Sequence, residues 1–285
     1  MKSIVLHSPA KLNLFLKIIN KRPDNYHNIE TVFERISLFD EIAFREINED
    51  KIRIICNHRD VPTGPKNLIY KAVTLIRRDF CISQGVEVTV KKQIPVAAGL
   101  AGGSSNAATT LLGINKLWKL GLSREELVKY AKVLGSDVAF FLHDTSWALG
   151  TERGDKITPL KIKSKLSHIL VVPRIKVYSK DIYGAINLGL TKRSHNATIL
   201  IQYLKHSCGQ DIDKYIRNDL EQTIIGLNPA LQGLKQRLKL LGIKGVMISG
   251  SGPAVFGITD NERHAESIKD RLDKVYSQVF VVKTS

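Results

Sequence analysis

The segment PVAAGLAGGSSNAA (residues 95–108) constrains this chain more than any other. Glycines and alanines surround a single leucine, so the backbone there is almost bare of side-chain volume. It follows VEVTVKKQIPV, where Val86, Val88 and Val90 alternate with polar residues as in a half-buried strand. It precedes NAATTLLGINKLWKL, which reads as a helix from Ser104. A strand, a glycine turn and a helix in that order concentrate free backbone N–H groups and the positive end of a helix dipole. That is a cradle for an anion, and glycine lets a phosphate come close to the backbone. The same segment without a ligand is a tightly packed strand–helix turn, and these residues alone leave both readings open. No lysine follows the glycines as G-x-x-x-x-G-K-S/T requires, and the spacing does not match G-x-G-x-x-G. Ser104 and Ser105 either cap the helix or turn a hydroxyl to a phosphate or Mg²⁺.

The remaining chain shows no repeats. IVLHSPAKLNLFLKI, IETVFERISLFDEIAFREI and DKIRIIC read as strands. Ser123 and Glu126 form a capping box ahead of LVKYAKVL, Gly135 stops that helix, and Ser136 is placed to cap DVAFFL. WALGTERGDKI reads as a returning strand. HILVVP opens a new buried strand after the basic linker KIKSK, which predicts a domain boundary near residue 165. Helices are predicted around 180–189 and 194–206, then over ALQGLKQRLKLLG. GVMISGS and PAVFGIT form a hairpin with a glycine turn, followed by helix NERHAESIKDRLDK and strand QVFVVK. Strands and helices in both halves predict an α+β class with two-layer domains, residues 1–165 and 166–285.

The formal net charge of +16 favours polyanionic partners, either nucleic acid or a nucleotide with several phosphates. Its lysines are scattered, with no dense tail. No groove-reading helix, zinc knuckle or aromatic RNA-binding pattern is present, which argues against a nucleic-acid-binding protein. No apolar run reaches the length of a membrane span, and the N-terminal segment reads as a first strand rather than a secretory signal. Cys56, Cys81 and Cys208 are widely spaced, suit a reducing cytoplasm and are expected to be small core residues.

Pro95, Gly99, Leu100, Gly103, Ser104 and Ser105 match P-x-x-x-G-L-x-G-S-S, the motif of the GHMP kinases, the family of galactokinase and of homoserine, mevalonate and phosphomevalonate kinases. PAKLNLFLKI (9–18) resembles that family's N-terminal motif and GVMISGSGPAVFGI (245–258) its C-terminal glycine motif, in the right order. The resemblance implies a two-domain fold, with an N-terminal ribosomal-protein-like α/β domain that binds ATP and a C-terminal ferredoxin-like α+β domain. KRPDNYHNIETVF (21–33) and GSDVAFFL (135–142) resemble the member that phosphorylates the 2-hydroxyl of a cytidine diphosphate-linked polyol. Another small-molecule kinase of the family, of homoserine or mevalonate type, is the alternative.

By that resemblance Lys11 and Asp137 are the catalytic pair; on residue type alone they are a strand lysine and a helix-start acid. The resemblance also implies that ATP binds along Pro95, Val96, Ala97, Ala98, Gly99, Leu100, Ala101, Gly102, Gly103, Ser104 and Ser105, with Asn67 at the adenine and Ser105 on Mg²⁺. Asn67 is otherwise a helix cap. For the second substrate the resemblance implies Asn13, a stacking Tyr26, His27 on the cytosine edge, Arg153, and Tyr183 from the second domain, with Tyr178 as its rival. Asn25 stands where the family has glycine, in a turn expected to need positive φ. Ala97, Ala98 and Ala101 replace glycines of some relatives, which leaves phosphate approach to Gly99, Gly102 and Gly103. No partner beyond the small molecules is expected, and the chain is expected to be a monomer or weak dimer.

Overall fold

The computed structural model describes residues 2–186, 196–206 and 211–285. The described residues fall into two compact units. Residues 1–10, 38–96 and 101–144 form the first; 11–37, 97–100 and 145–285 form the second. Neither unit is one continuous stretch of the chain. The reason lies in two long strands, β1 (Ser3–Lys21) and β2 (His27–Ile47), each of which contributes its two ends to different units.

In the first unit the end of β2 pairs antiparallel with β4 (Gly85–Lys91), from Glu41↔Lys91 to Ile47↔Gly85. Strand β3 (Ile52–Cys56) lies parallel to β4 on its other side. Alternation along β2 buries Leu38, Asp40, Ile42 and Phe44 on one face. Helix α1 (Leu68–Asp79) presents Ile69, Ala72, Val73 and Ile76, the i, i+3, i+4, i+7 stripe of a half-buried helix. Helix α2 (Gly102–Leu117) is buried almost all round. Its small residues permit this: a Cβ on Gly113 would stand 2.5 Å from the Phe44 ring. Full burial of a ring such as Phe44 contributes about 1.5–3 kcal/mol. Helix α3 (Arg124–Leu134) starts with the expected Ser123–Glu126 capping box, both reciprocal bonds being made. It stops at Gly135, which itself begins the next element. That element, Ser136–Leu142, is a 3₁₀ helix rather than an α-helix, and Ser136 is its first residue and not its cap.

In the second unit WALGTERGDKI is a hairpin rather than one strand, β5 (Trp147–Thr151) and β6 (Lys156–Pro159), turning at Glu152 and Gly154. Strand β5 pairs with the start of β2. Strand β7 (Ser167–Val171) is followed by α4 (Ser179–Ala185) and α5 (Ala197–His206); residues 187–189 and 194–195 of the two predicted helices lie outside the described residues. Next come β8 (Arg217–Asn218), which pairs parallel with β1, and helices α6 (Glu221–Leu227) and α7 (Ala230–Leu240). The predicted glycine hairpin is β9 (Lys244–Ile248) and β10 (Val255–Thr259), followed by α8 (Glu262–Leu272) and β11 (Val279–Lys283). The four-stranded sheet runs β11-β7-β10-β9. Its apolar face packs on Leu231, Leu234, Leu238, Ile268 and Leu272. Buried Glu34 on β2 accepts from Thr284 Oγ1 at 2.6 Å and meets His168 Nε2 at 3.0 Å, so the charge has partners.

Two cysteine expectations are corrected. Cys81 is exposed, at positive φ just past α1, and Cys56 is only half-buried; Cys208 lies outside the described residues.

Candidate active site

The glycine segment is built in three pieces. Ala97, Gly99 and Ala101 have φ of 54°, 76° and 55°. Two alanines therefore occupy the left-handed region, a strained choice for a residue with a Cβ that such sites sustain through surrounding structure. Gly99 belongs to the second unit and packs on the turn between β9 and β10. A Cβ there would stand 2.2 Å from the Ser249 carbonyl oxygen. Gly102 belongs to the first unit and is buried against Ile94 and Lys92 Nζ, each 2.9 Å from a Cβ built on it. Only Gly103 of the three is exposed, with nothing closer than 4.0 Å to its would-be Cβ. Close packing thus requires Gly99 and Gly102, and open approach belongs to Gly103.

Helix α2 begins at Gly102 rather than Ser104, and its N-cap, Ala101, offers no side-chain acceptor. The N–H groups of Gly102, Gly103 and Ser104 have no partner within the helix, which together with the dipole suits a phosphate. The predicted metal ligand, Ser105, is placed elsewhere. Its hydroxyl is fully buried and accepts from Ser8 Oγ at 2.8 Å. Ser104, half-buried, is the hydroxyl of this turn that reaches the surface. Asn67 caps α1: its side chain accepts from Ile69 N at 2.8 Å and donates to the Pro62 carbonyl at 2.6 Å. Asp137 is half-buried in the first turn of the 3₁₀ helix, as its place after Gly135-Ser136 predicts.

In the second unit Lys11 is 3% exposed on β1. Its ammonium donates to Asn13 Oδ1 and to the Gly99 carbonyl at 3.1 Å, and lies 5.7 Å from the Phe33 ring. Asn13, 2% exposed, gives its amide N–H to Thr31 Oγ1 at 2.8 Å, and Thr31 donates to the Phe15 carbonyl at 2.6 Å. Asn13 therefore holds Lys11 from the same strand, with its own amide fixed by Thr31. The Gly99 carbonyl also accepts from Ser249 Oγ at 3.1 Å. Asn218 clamps the turn that carries Ser249, donating to the carbonyls of Ile248 (2.9 Å) and Gly250 (2.7 Å).

The RPDNYH turn closes as expected with Asn25 at φ 65°. Asp24, bonded to Arg22 and to Tyr26 N, stiffens it. Tyr26 is 53% exposed, and the Arg153 guanidinium sits 5.1 Å over its ring while bonding Asp155 at 2.7 Å. His27 is buried with its ring 5.5 Å from that of Tyr183. Tyr178, the rival, is exposed. Burial, and secondly the charge of Lys21, lower the His27 pKa below its ordinary value, so the ring favours its neutral form.

Asp40, Lys92, Thr31 and Asn218 escaped the sequence reading. Asp40 left one signal, a charged residue at a core-facing step of the Ile36, Leu38, Asp40, Ile42, Phe44 alternation.

The chain is a GHMP kinase, an ATP-dependent small-molecule kinase. Residues 67–145 match the GHMP kinase N-terminal domain and 200–278 the C-terminal domain. The chain is 37% identical to 4-diphosphocytidyl-2-C-methyl-D-erythritol kinase of Bacillus mycoides (strain KBAB4), over 98% of this chain and 96% of the relative. It is also 37% identical to the enzyme of that name from Exiguobacterium sibiricum, over 99% and 98%. A crystal structure of 4-(cytidine 5'-diphospho)-2C-methyl-D-erythritol kinase superposes with TM-score 0.84 at 28% identity, covering 98% of each chain. Homoserine kinase from Cytophaga hutchinsonii, at 19% identity and TM-score 0.73 over 100% of this chain and 95% of that one, shares the fold. The chain belongs to the 4-diphosphocytidyl-2-C-methyl-D-erythritol kinase family.

Proposed function

We propose that this chain transfers the γ-phosphoryl group of ATP to the 2-hydroxyl of 4-diphosphocytidyl-2-C-methyl-D-erythritol, in the non-mevalonate route to isoprenoid precursors. The observation that carries the choice of acceptor is the grouping around the RPDNYH turn: Tyr26 under Arg153, and a neutral His27 beside Tyr183. An exposed ring offers a stacking face for a flat base, and a neutral imidazole offers one donor and one acceptor to its edge. A homoserine or mevalonate acceptor has no base to place there.

Phosphoryl transfer depends on positioning and on charge. Asp137 receives the proton of the 2-hydroxyl as that oxygen bonds to the γ-phosphorus and the bond to the β-phosphate oxygen breaks. Lys11, held by Asn13 and the Gly99 carbonyl, sets a fixed positive charge for the transferring group. The first turn of α2 binds phosphate through N–H groups that the side chain of its N-cap, Ala101, leaves uncapped. Mg²⁺, when bound, neutralises phosphate charge and aligns the leaving oxygens. Among the described residues no cluster of three or more His, Cys, Asp or Glu could hold a metal. Ser104 is the hydroxyl we assign to Mg²⁺, in place of Ser105.

No described helix is long and apolar enough to cross a membrane. We place the enzyme in the cytoplasm as a monomer or weak dimer. ADP release across a panel of acceptors tests the reading. Turnover is expected with the cytidyl substrate; preference for homoserine or mevalonate would overturn it.

A further inference from the structure

We infer that Asp40 is a positioning residue for nucleotide binding, which ties together the two ends of the phosphate loop from the core side. This rests on reading residues 95–105 as the nucleotide phosphate site. Asp40 has no solvent exposure. Its Oδ1 accepts from the backbone N–H groups of Gln93 and Ile94, both at 2.8 Å, the residues that lead into the loop. Its Oδ2 accepts from Lys92 Nζ at 2.6 Å and from Asn106 Nδ2 at 2.8 Å, and Asn106 lies in the first turns of α2, just beyond the loop. Asn106 Nδ2 also donates to Ser8 Oγ at 2.9 Å, and Ser8 donates to Ser105.

One carboxylate thus gathers four donors from both sides of a bare segment. A buried carboxylate is costly unless its acceptor sites are filled by donors and its charge is paired. Here both conditions are met by residues next to the loop. Lys92, its side chain 5% exposed, is pressed against the start of α2, 2.9 Å from where a Cβ on Gly102 would be. Asp40 neutralises that ammonium, so the pair adds little net charge at the phosphates and acts through geometry. With entry and exit anchored to one group, the N–H groups around Gly103 are presented in one arrangement. Preorganised donors are what phosphate binding requires.

The test compares wild type, D40N, K92M and D40N/K92M by KM for ATP, KM for the cytidyl acceptor, calorimetric Kd for ADP, and melting by circular dichroism. In D40N the amide oxygen keeps the two backbone bonds, but its NH₂ faces two donors, Asn106 Nδ2 and the Lys92 ammonium; the Asn106 amide can turn over to accept from it, and the ammonium cannot. We expect KM for ATP and Kd for ADP to rise about tenfold, near 1.4 kcal/mol, with the acceptor KM within about twofold. D40N/K92M removes the opposed charge and is expected to recover ADP binding to within about threefold of wild type. Equal rises in both KM values, or a lowered melting temperature with unchanged ADP affinity, would overturn the inference. If D40N does not fold, K92M, which leaves the carboxylate without its cation, should bind ADP more weakly than the double variant. Equal affinity of those two would overturn it. A wild type with no ADP affinity would instead overturn the reading of the loop itself.

Discussion

Lys11 is where residue chemistry and function meet most closely. A lysine almost wholly buried on a strand loses hydration, and it persists because Asn13 and the Gly99 carbonyl accept from it. If its charge serves the transferring phosphoryl group, Lys11→Ala lowers kcat by about 10²–10³-fold, the usual loss for one preorganised electrostatic group. Steady-state kinetics checks this, with ADP affinity staying measurable. His27 makes a second prediction. Burial and Lys21 both disfavour the imidazolium, so the folded chain releases that proton at a pH below the ordinary 6.5. The unfolded chain binds the proton more readily, so as pH falls below about 6.5 this group withdraws stability from the folded state. The neutral ring therefore persists through neutral pH. The KM for the cytidyl acceptor is expected to be flat from about pH 8 to 6.5 and to rise only below that. His27→Asn should remove the rise; an unchanged profile in that variant would assign it to another group.

At the scale of elements, α2 carries both packing and binding, and its glycines separate the two. Gly103 is helical and exposed, with open space where a Cβ would go. Alanine is the better helix former by up to about 1 kcal/mol, so Gly103→Ala should leave stability unchanged or raise it. The added methyl group would stand on the face assigned to phosphate and weaken ATP binding. Thermal melts and ADP titration of the same variant test the pair, and unchanged ADP affinity would remove Gly103 from the site. The strand, glycine turn and helix were legible from Val86 to Ala108 because alternation, bare backbone and helical pattern follow one another there. So was the Ser123–Glu126 capping box, a purely local motif. The partners of Asp40 and the Asn13–Thr31 bond were not, because they join residues distant in sequence that only the folded chain brings together. Ser105 was assigned to a metal from its motif, but helix periodicity turns it inward to Ser8.

For the whole molecule, the interleaving of the two compact units was not legible, because strand periodicity shows where a strand runs but not which compact unit each end joins. The charge of +16 is spread over the chain, and both substrates are anions. Long-range attraction of this kind is screened within about 8–10 Å at physiological salt. Raising salt from about 50 to 500 mM should therefore raise both KM values several-fold and leave kcat nearly constant. A kcat that falls with salt instead would point to screening within the reacting groups. The central claim, the acceptor atom, is tested most directly by ³¹P NMR of the product formed from ATP and 4-diphosphocytidyl-2-C-methyl-D-erythritol. The account predicts one new phosphomonoester on the 2-oxygen, with the diphosphate bridge intact and one ADP per product. Phosphate on another hydroxyl, or no product while homoserine or mevalonate is phosphorylated, would contradict it.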